Sequence, residues 1–221
     1  MAKTYKEIGD PDRLVAERET LSVCVITYNE AGNIRECLES VRWADEIIVV
    51  DSNSSDKTVE IARRFTDKVL LREWQGHVAQ KNFAADQARC DWILAVDADE
   101  RVSPALRDEI LQVLETRDGG RIGFCFPRKN HYLGRWWTHG GWYPDLKLRL
   151  WRRGRGRWGG DDPHDHVVLQ GLPDRLSGDL LHYSYRNITD HVERMNSYST
   201  IAARAKEEKE VRYHFLDLLV R

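Results

Sequence analysis

The sequence contains no glycine-rich phosphate loop. G-x-x-x-x-G-K-S/T occurs nowhere, which excludes a P-loop, and no G-x-G-x-x-G follows the first apolar run, which weakens a dinucleotide site. Cysteine is scarce and scattered. Cys24, Cys37, Cys90 and Cys125 have no C-x-x-C spacing and no neighbouring histidine pair, so neither a zinc site nor a disulfide framework is expected, and a reducing compartment is. Charge of one sign is also missing: 34 Lys and Arg stand against 36 Asp and Glu, a net −2 over 221 residues. Bulk electrostatics therefore favour no polyanionic partner, and nucleic acid is not expected as one. No apolar run approaches the roughly 20 residues of a membrane span. "MAKTYKEIGDPDR" has no apolar h-region, so no secretory signal is expected. The expected location is cytoplasmic, or peripheral on the cytoplasmic face of a membrane. The last residues, "YHFLDLLVR", stop inside a helical periodicity.

What is present is a strand–helix alternation. "LSVCVITYNE" is an apolar, β-rich run ending in polar residues, and Ile34, Leu38 and Val41 then recur at helical spacing. A second strand, Ile47–Val50, ends on Asp51 in a Ser- and Asn-rich turn, where Ser55 or Asp56 can cap the next helix. "DKVLLRE" predicts a third strand, "GHVAQKNFAADQAR" a helix, and "DWILAVDADE" a fourth strand. "SPALRDEILQVLE" predicts a helix with Ser103 as N-cap and Pro104 at its first position. Strands that are continuously apolar indicate a parallel sheet covered on both faces. The fold class is α/β: a doubly wound, mostly parallel sheet over about 21–115, then a C-terminal antiparallel, loop-rich region over about 120–221. One domain, 1–221, is expected. In the second half "RIGFCFPRKN", "LKLRLW" and "GDLLHYSY" read as strands, "HYLGRWWTHGGWYPD" as an aromatic loop, and "GRWGGDDPHDHVVLQG" as loop then strand. A long helix carries Ile188, Val192, Met195 and Ala202 on one face.

Ligands of open α/β sheets sit beyond the carboxyl ends of the strands. Three predicted strands end there in polar groups: Thr27-Tyr28-Asn29-Glu30, Asp51-Ser52-Asn53 and Asp97-Ala98-Asp99. Two carboxylates this close repel unless a cation lies between them. A divalent ion held by one or two carboxylates and completed by water and substrate phosphates is the usual Mg²⁺ arrangement. The D-x-D thus points to a diphosphate-bearing substrate. Its bland reading is a solvated strand end. A haloacid-dehalogenase-like phosphatase would place D-x-D at the first strand rather than the fourth.

"VITYNEAGNIRECLESVRWADEIIVVDSNSSDKTVEIA" and "DWILAVDADERV" resemble glycosyltransferase family 2, the inverting GT-A enzymes using nucleotide-diphospho sugars. "GGWYPDLKLRLWRRGRGRW", "PHDHV" and "LLHYSYRNITDHVERMNSYS" resemble its lipopolysaccharide core glucosyltransferase branch. The resemblance covers about 21–203. It implies a GT-A fold, a UDP-sugar donor, a divalent metal (Mg²⁺ or Mn²⁺) and a lipopolysaccharide inner-core acceptor. It also implies site roles. Thr27, Tyr28, Asn29 and Glu30 line the nucleotide pocket and Asp51 contacts the nucleoside. Asp97 and Asp99 form the D-x-D, Asp99 binding the metal, and Lys81 lies near the donor. Related branches carry Val-His-Glu with the Glu as candidate base. Here the aligned run is Pro163-His164-Asp165, so Asp165 is the expected base, with Asp161 and Asp162 as rivals.

Other residues carry two readings each. His182 is either a satisfied structural histidine or, sharing a rim with Asp99, a contact to metal or diphosphate. His164 and His166 flank Asp165 and would shape the acceptor site. Lys147, Arg149, Arg152, Arg153, Arg155 and Arg157 either form a solvated hairpin face or meet phosphate on the donor, the acceptor or a membrane surface. Trp136, Trp137, Trp142 and Tyr143 suit sugar faces and a mobile lid, a membrane interface, or a satellite apolar cluster. Two other functions stand beside the transferase: a sugar nucleotidyltransferase, although "TYNEAGNI" lacks the Gly-rich basic loop such enzymes carry, and a non-catalytic carbohydrate- or membrane-binding module.

Overall fold

The computed structural model describes residues 18–117, 120–162, 164–185 and 187–208. "MAKTYKEIGDPDR", Pro163, "YHFLDLLVR" and the side chain of Ala202 lie outside the described residues. The first half runs β1 (Leu21–Thr27), α1 (Ile34–Ser40), β2 (Glu46–Asp51), α2 (Thr58–Ala62), β3 (Val69–Leu71), α3 (His77–Asp86) and β4 (Trp92–Asp97). Then come β5 (Glu100–Val102) and α4 (Pro104–Thr116). The second half runs β6 (Gly123–Tyr132), β7 (Arg135–Trp137), β8 (Asp145–Arg152), β9 (Gly156–Gly159), β10 (His166–Leu169), β11 (Asp174–Arg175), β12 (Leu180–His182) and α5 (Ile188–Glu208).

β1 is buried on both faces, as its unbroken apolar sequence requires, and pairs in parallel with β2 and β4. Its alternate residues feed two cores. Val23 and Val25, with Leu94 and Val96 of β4, face a cluster completed by α1 and α4. Cys24, with Ile93 and Ala95, faces a cluster completed by Ala84 of α3, Trp151 of β8 and Trp158 of β9. Helices thus cover both faces, and the expected doubly wound sheet is present. α4 starts as its sequence predicts: Ser103 Oγ accepts from Leu106 N at 3.2 Å, with Pro104 in the first turn.

The sheet runs β3-β2-β1-β4-β8-β6-β12-β5. β4 and β5 are separated in sequence by Ala98 and Asp99 alone, yet in the sheet β8, β6 and β12 lie between them. The sheet must therefore curl back on itself, and the D-x-D is the covalent link that closes the curl. β8 pairs antiparallel with both β4 and β6, joining the parallel half to the antiparallel half.

Two expectations need correction. The segment read as an aromatic loop begins as a hairpin. β7 pairs with β6 through Asn130↔Trp137 and Tyr132↔Arg135, across a two-residue turn in which Leu133 and Gly134 both have positive φ. "GRWGGDDPHDHVVLQG", read as loop then strand, likewise begins as a strand, since β9 pairs antiparallel with β10. On α5, Ile188, Val192 and Met195 are 60%, 50% and 53% exposed. α5 is anchored by its first turn instead, where His191 stacks on Tyr185 and bonds the Tyr132 hydroxyl at 2.8 Å.

Candidate active site

The register of the parallel strands builds the rim. Thr27 lies opposite Asp51, and Ile26 opposite Asp97, so the carboxyl ends of β2, β1 and β4 share one edge. Asn29 and Asn53 hold the two turns beyond that edge in left-handed backbone, which asparagine tolerates. The turns are stitched together. Asn29 N donates to Ser54 Oγ, Ser55 N to Asn29 Oδ1 and Glu30 N to Thr58 Oγ1, each at 2.8 Å. Thr27 is buried, Tyr28 is exposed, and Glu30 accepts from Asn33 at 2.8 Å. Asp51 is fully buried and accepts from Ser54 N at 2.7 Å and Ser54 Oγ at 2.5 Å, the closed turn expected of an Asp at position i.

Asp97 meets cations, and both belong to the protein. Arg149 Nη2 lies 2.9 Å from Asp97 Oδ2, and Lys81 Nζ 3.1 Å from Oδ1. Burial alone would raise the Asp97 carboxyl, but Arg149 and Lys81 outweigh it and hold it well below the usual carboxylate range. Arg149 is held correspondingly more firmly protonated: burial opposes its charge, and Asp97 and Glu100 more than offset that. Lys81 also contacts Asp165 Oδ2 at 2.8 Å. Both cations lie over the Trp158 indole, at 4.4 Å (Lys81) and 5.0 Å (Arg149).

Glu100, which carried no role in the sequence reading, is fully buried. Its Oε2 accepts from Asp97 N at 2.9 Å, and its Oε1 lies 3.5 Å from Arg149 and 3.6 Å from Arg128. Arg128 in turn pairs with Asp145 at 2.8 Å. The inside of the curl therefore holds a connected chain of charges from Asp165 to Asp145. Burial first, and then the Glu100, Asp99 and Asp97 carboxylates, push the Cys37 thiol well up, so it is an inert core group.

Asp99, the second acid of the D-x-D, faces His182. Its Oδ2 lies 3.5 Å from His182 Nε2, and His182 Nδ1 lies 2.7 Å from Asn130 Oδ1. β12 pairs with both β5 and β6, which brings the three residues together. Among the described residues no group of three or more His, Cys, Asp and Glu side chains converges as a metal cage. One carboxylate and one imidazole still fit a divalent ion whose other positions are filled by substrate phosphate and water.

The rival acids differ in their surroundings. Asp162 caps α3: His77 N and Val78 N donate to its carboxylate at 2.8 and 3.2 Å. A Cβ on Gly76, φ +97°, would lie 2.3 Å from that carboxylate, so glycine is needed there. Asp162 and Asp165 thus clip the 160s segment to one side of α3, at His77–Val78 and at Lys81. His164 and His166 are exposed beside it.

Of the six basic residues in "KLRLWRRGRGRW", Arg149 alone reaches the D-x-D. Arg152 pairs bidentately with Glu19 at 2.7 and 3.0 Å, opposite the start of β4, Arg153 donates to the Cys90 carbonyl, and Arg157 faces Asp86. Lys147 pairs with Asp145 at 2.9 Å. The aromatic residues divide: Trp142 is stacked on Tyr132 (centroids 6.2 Å apart) and tilted on Trp137 (5.8 Å), Trp136 meets His131 and Tyr183, and the Tyr143 hydroxyl donates to Asp179 at 2.9 Å.

Residues 22–172 match the family model for glycosyl transferase family 2. The chain is 31% identical over 206 residues to the lipopolysaccharide core biosynthesis glycosyltransferase LpsC of Rhizobium meliloti, covering 90% of this chain and 76% of that protein. It is 32% identical over 196 residues to the uncharacterized glycosyltransferase RT0209 of Rickettsia typhi, covering 83% of this chain and 67% of that one. Its fold matches that of mannosyl-3-phosphoglycerate synthase from Rubrobacter xylanophilus with a TM-score of 0.56 at 15% identity, over 88% of this chain and 76% of the other.

Proposed function

Since the chain belongs to glycosyltransferase family 2, we propose that it moves a sugar, glucose by resemblance, from a UDP-sugar to an inner-core sugar of lipopolysaccharide. The observation that carries the reading is the shared edge of β2, β1 and β4, with Asp51 and Asp97 on it and the Asp99–His182 pair at the turn that follows. We read residues 1–221 as one domain, the first half binding donor and the second facing acceptor. Work on a lipid-linked acceptor at the cytoplasmic face of the inner membrane accords with a chain in which no described helix is long and apolar enough to cross a membrane.

In this mechanism the stitched turns of Thr27–Glu30 and Asp51–Ser55 form the wall against the nucleoside. Asp99 and His182 would hold the divalent ion. Such an ion supplies charge compensation to the departing diphosphate. Asp165 takes the proton of the acceptor hydroxyl as that oxygen bonds the anomeric carbon. The bond from that carbon to the UDP oxygen breaks on the opposite face, which inverts the centre. Lys81, between Asp97 and Asp165, braces the base against the donor edge.

The test is a thermal shift with UDP, Mn²⁺ and both together, followed by UDP release with a lipopolysaccharide core acceptor. A larger shift with both than with either, abolished by Asp99→Ala, is expected. Indifference to UDP in the presence of metal would sink the proposal.

A further inference from the structure

Asn130 is buried on β6, with both ends of its amide engaged. Its Nδ2 donates to the Trp142 carbonyl at 3.4 Å, and its Oδ1 faces His182 Nδ1 at 2.7 Å. A backbone carbonyl can only accept, so the end of the amide that meets Trp142 must be the NH₂. The end that meets His182 is then an oxygen, which also only accepts. The imidazole nitrogen opposite it must therefore carry the proton. A neutral imidazole has one N–H, so Nε2 is left with a lone pair, and it points at Asp99 Oδ2 3.5 Å away. A ring nitrogen and a carboxylate oxygen that face each other in this way are joined either by a proton on Nε2 or by a cation held between them.

We infer that Asn130 is a positioning residue that fixes His182 in the Nδ1–H tautomer, making the Asp99–His182 pair a ligand pair, and that the Trp142 segment orients the Asn130 amide in turn. This rests on the reading of Asp99 and His182 as metal ligands. It goes further by assigning the neighbour that prepares the histidine and by linking the aromatic segment to it. Groups holding the second nitrogen of a ligating histidine typically contribute about 10–100-fold in metal affinity.

The test uses the full chain without metal. Long-range proton–nitrogen NMR of the imidazoles, about two units above the ordinary histidine pKa, reads the tautomer directly. His182 in the native sequence should carry its proton on Nδ1, and a proton on Nε2 overturns the inference without any variant having to fold. Asn130→Ala should release a mixture of tautomers and weaken Mn²⁺ binding, followed by the electron paramagnetic resonance of free Mn²⁺, by about 10–100-fold. Asn130→Asp keeps an acceptor at the same place and should restore the Nδ1–H form. An unchanged tautomer and Mn²⁺ affinity in Asn130→Ala also overturn it. If His182→Ala binds Mn²⁺ as tightly as the native protein, the ligand reading fails, and the inference that Asn130 prepares a metal ligand fails with it, whichever tautomer the NMR shows.

Discussion

Removing the Arg149 guanidinium would leave Glu100 fully buried, with Arg128 at 3.6 Å as its remaining cation among the described residues, and would leave Asp97 with Lys81. Breaking one side of such a buried pair costs about 3–5 kcal/mol. Arg149→Met should lower the denaturation midpoint accordingly in urea, and a loss under about 1 kcal/mol would show that the pair contributes little. Asp97 adds a pH signature. Its folded pKa is depressed, so its contribution is complete above the unfolded value of about 4 and is lost as pH falls through the folded value. Native stability should therefore drop more steeply below about pH 4 than that of Arg149→Met, in which the depression is smaller. None of this was visible at the residue level of the sequence. Lys81 and Asp165 are 84 positions apart and Arg149 and Asp97 are 52, so no local pattern joins them. A faint signal existed for Arg149: it shares a strand face with Trp151, two residues on, which is fully buried. Glu100 gave no such signal, because an acid after a D-x-D reads as more solvated charge.

At the scale of the element, α3 takes its N-terminal cap from Asp162 rather than from its own preceding residues. Helix N-termini attract anions, and this one is already occupied by a carboxylate, so the donor diphosphate has to be held elsewhere. Asp162→Ala should cost about 1–2 kcal/mol, the usual value of a cap, and should leave Mn²⁺ binding unchanged. Hydrogen exchange at His77 and Val78 would locate the loss, and a metal-binding defect of Asp162→Ala would contradict the separation of cap from site. Elements with local signals were legible. Ser103-Pro104 begins α4 as read, and the runs from Leu21, Ile47 and Trp92 are strands. The β6–β7 hairpin was hidden because its turn begins with Leu133, a residue seldom found at positive φ.

At the scale of the whole molecule, β8 stitches the parallel half to the antiparallel half, and its Trp151 is fully buried in the cluster that α3 and Trp158 complete. Urea unfolding should therefore follow one transition by both far-ultraviolet circular dichroism and tryptophan fluorescence. Two separated transitions would mean that the halves fold as independent units. The curl itself was beyond sequence reasoning. Alternation of strand and helix fixes a doubly wound sheet, but nothing in "DADE" says that β5 leaves β4 to join β12 on the far side. The rim was legible because strand ends declare themselves by a change from apolar to polar. The inside of the curl was not, because it places charge where apolar residues are expected.

The clip on α3 also bears on the order in which the protein is made. Asn82 exchanges two hydrogen bonds with the backbone of Trp158, 76 residues later, and His77 receives its cap 85 residues later. At about 5–20 residues per second, α3 leaves the ribosome several seconds before these partners exist. Through that interval the buried Asn82 amide has only water in place of Trp158, and Lys81 can meet Asp97 but not yet Asp165. Translation through residues 158–165 is thus the moment at which the donor half of the nascent chain can first close.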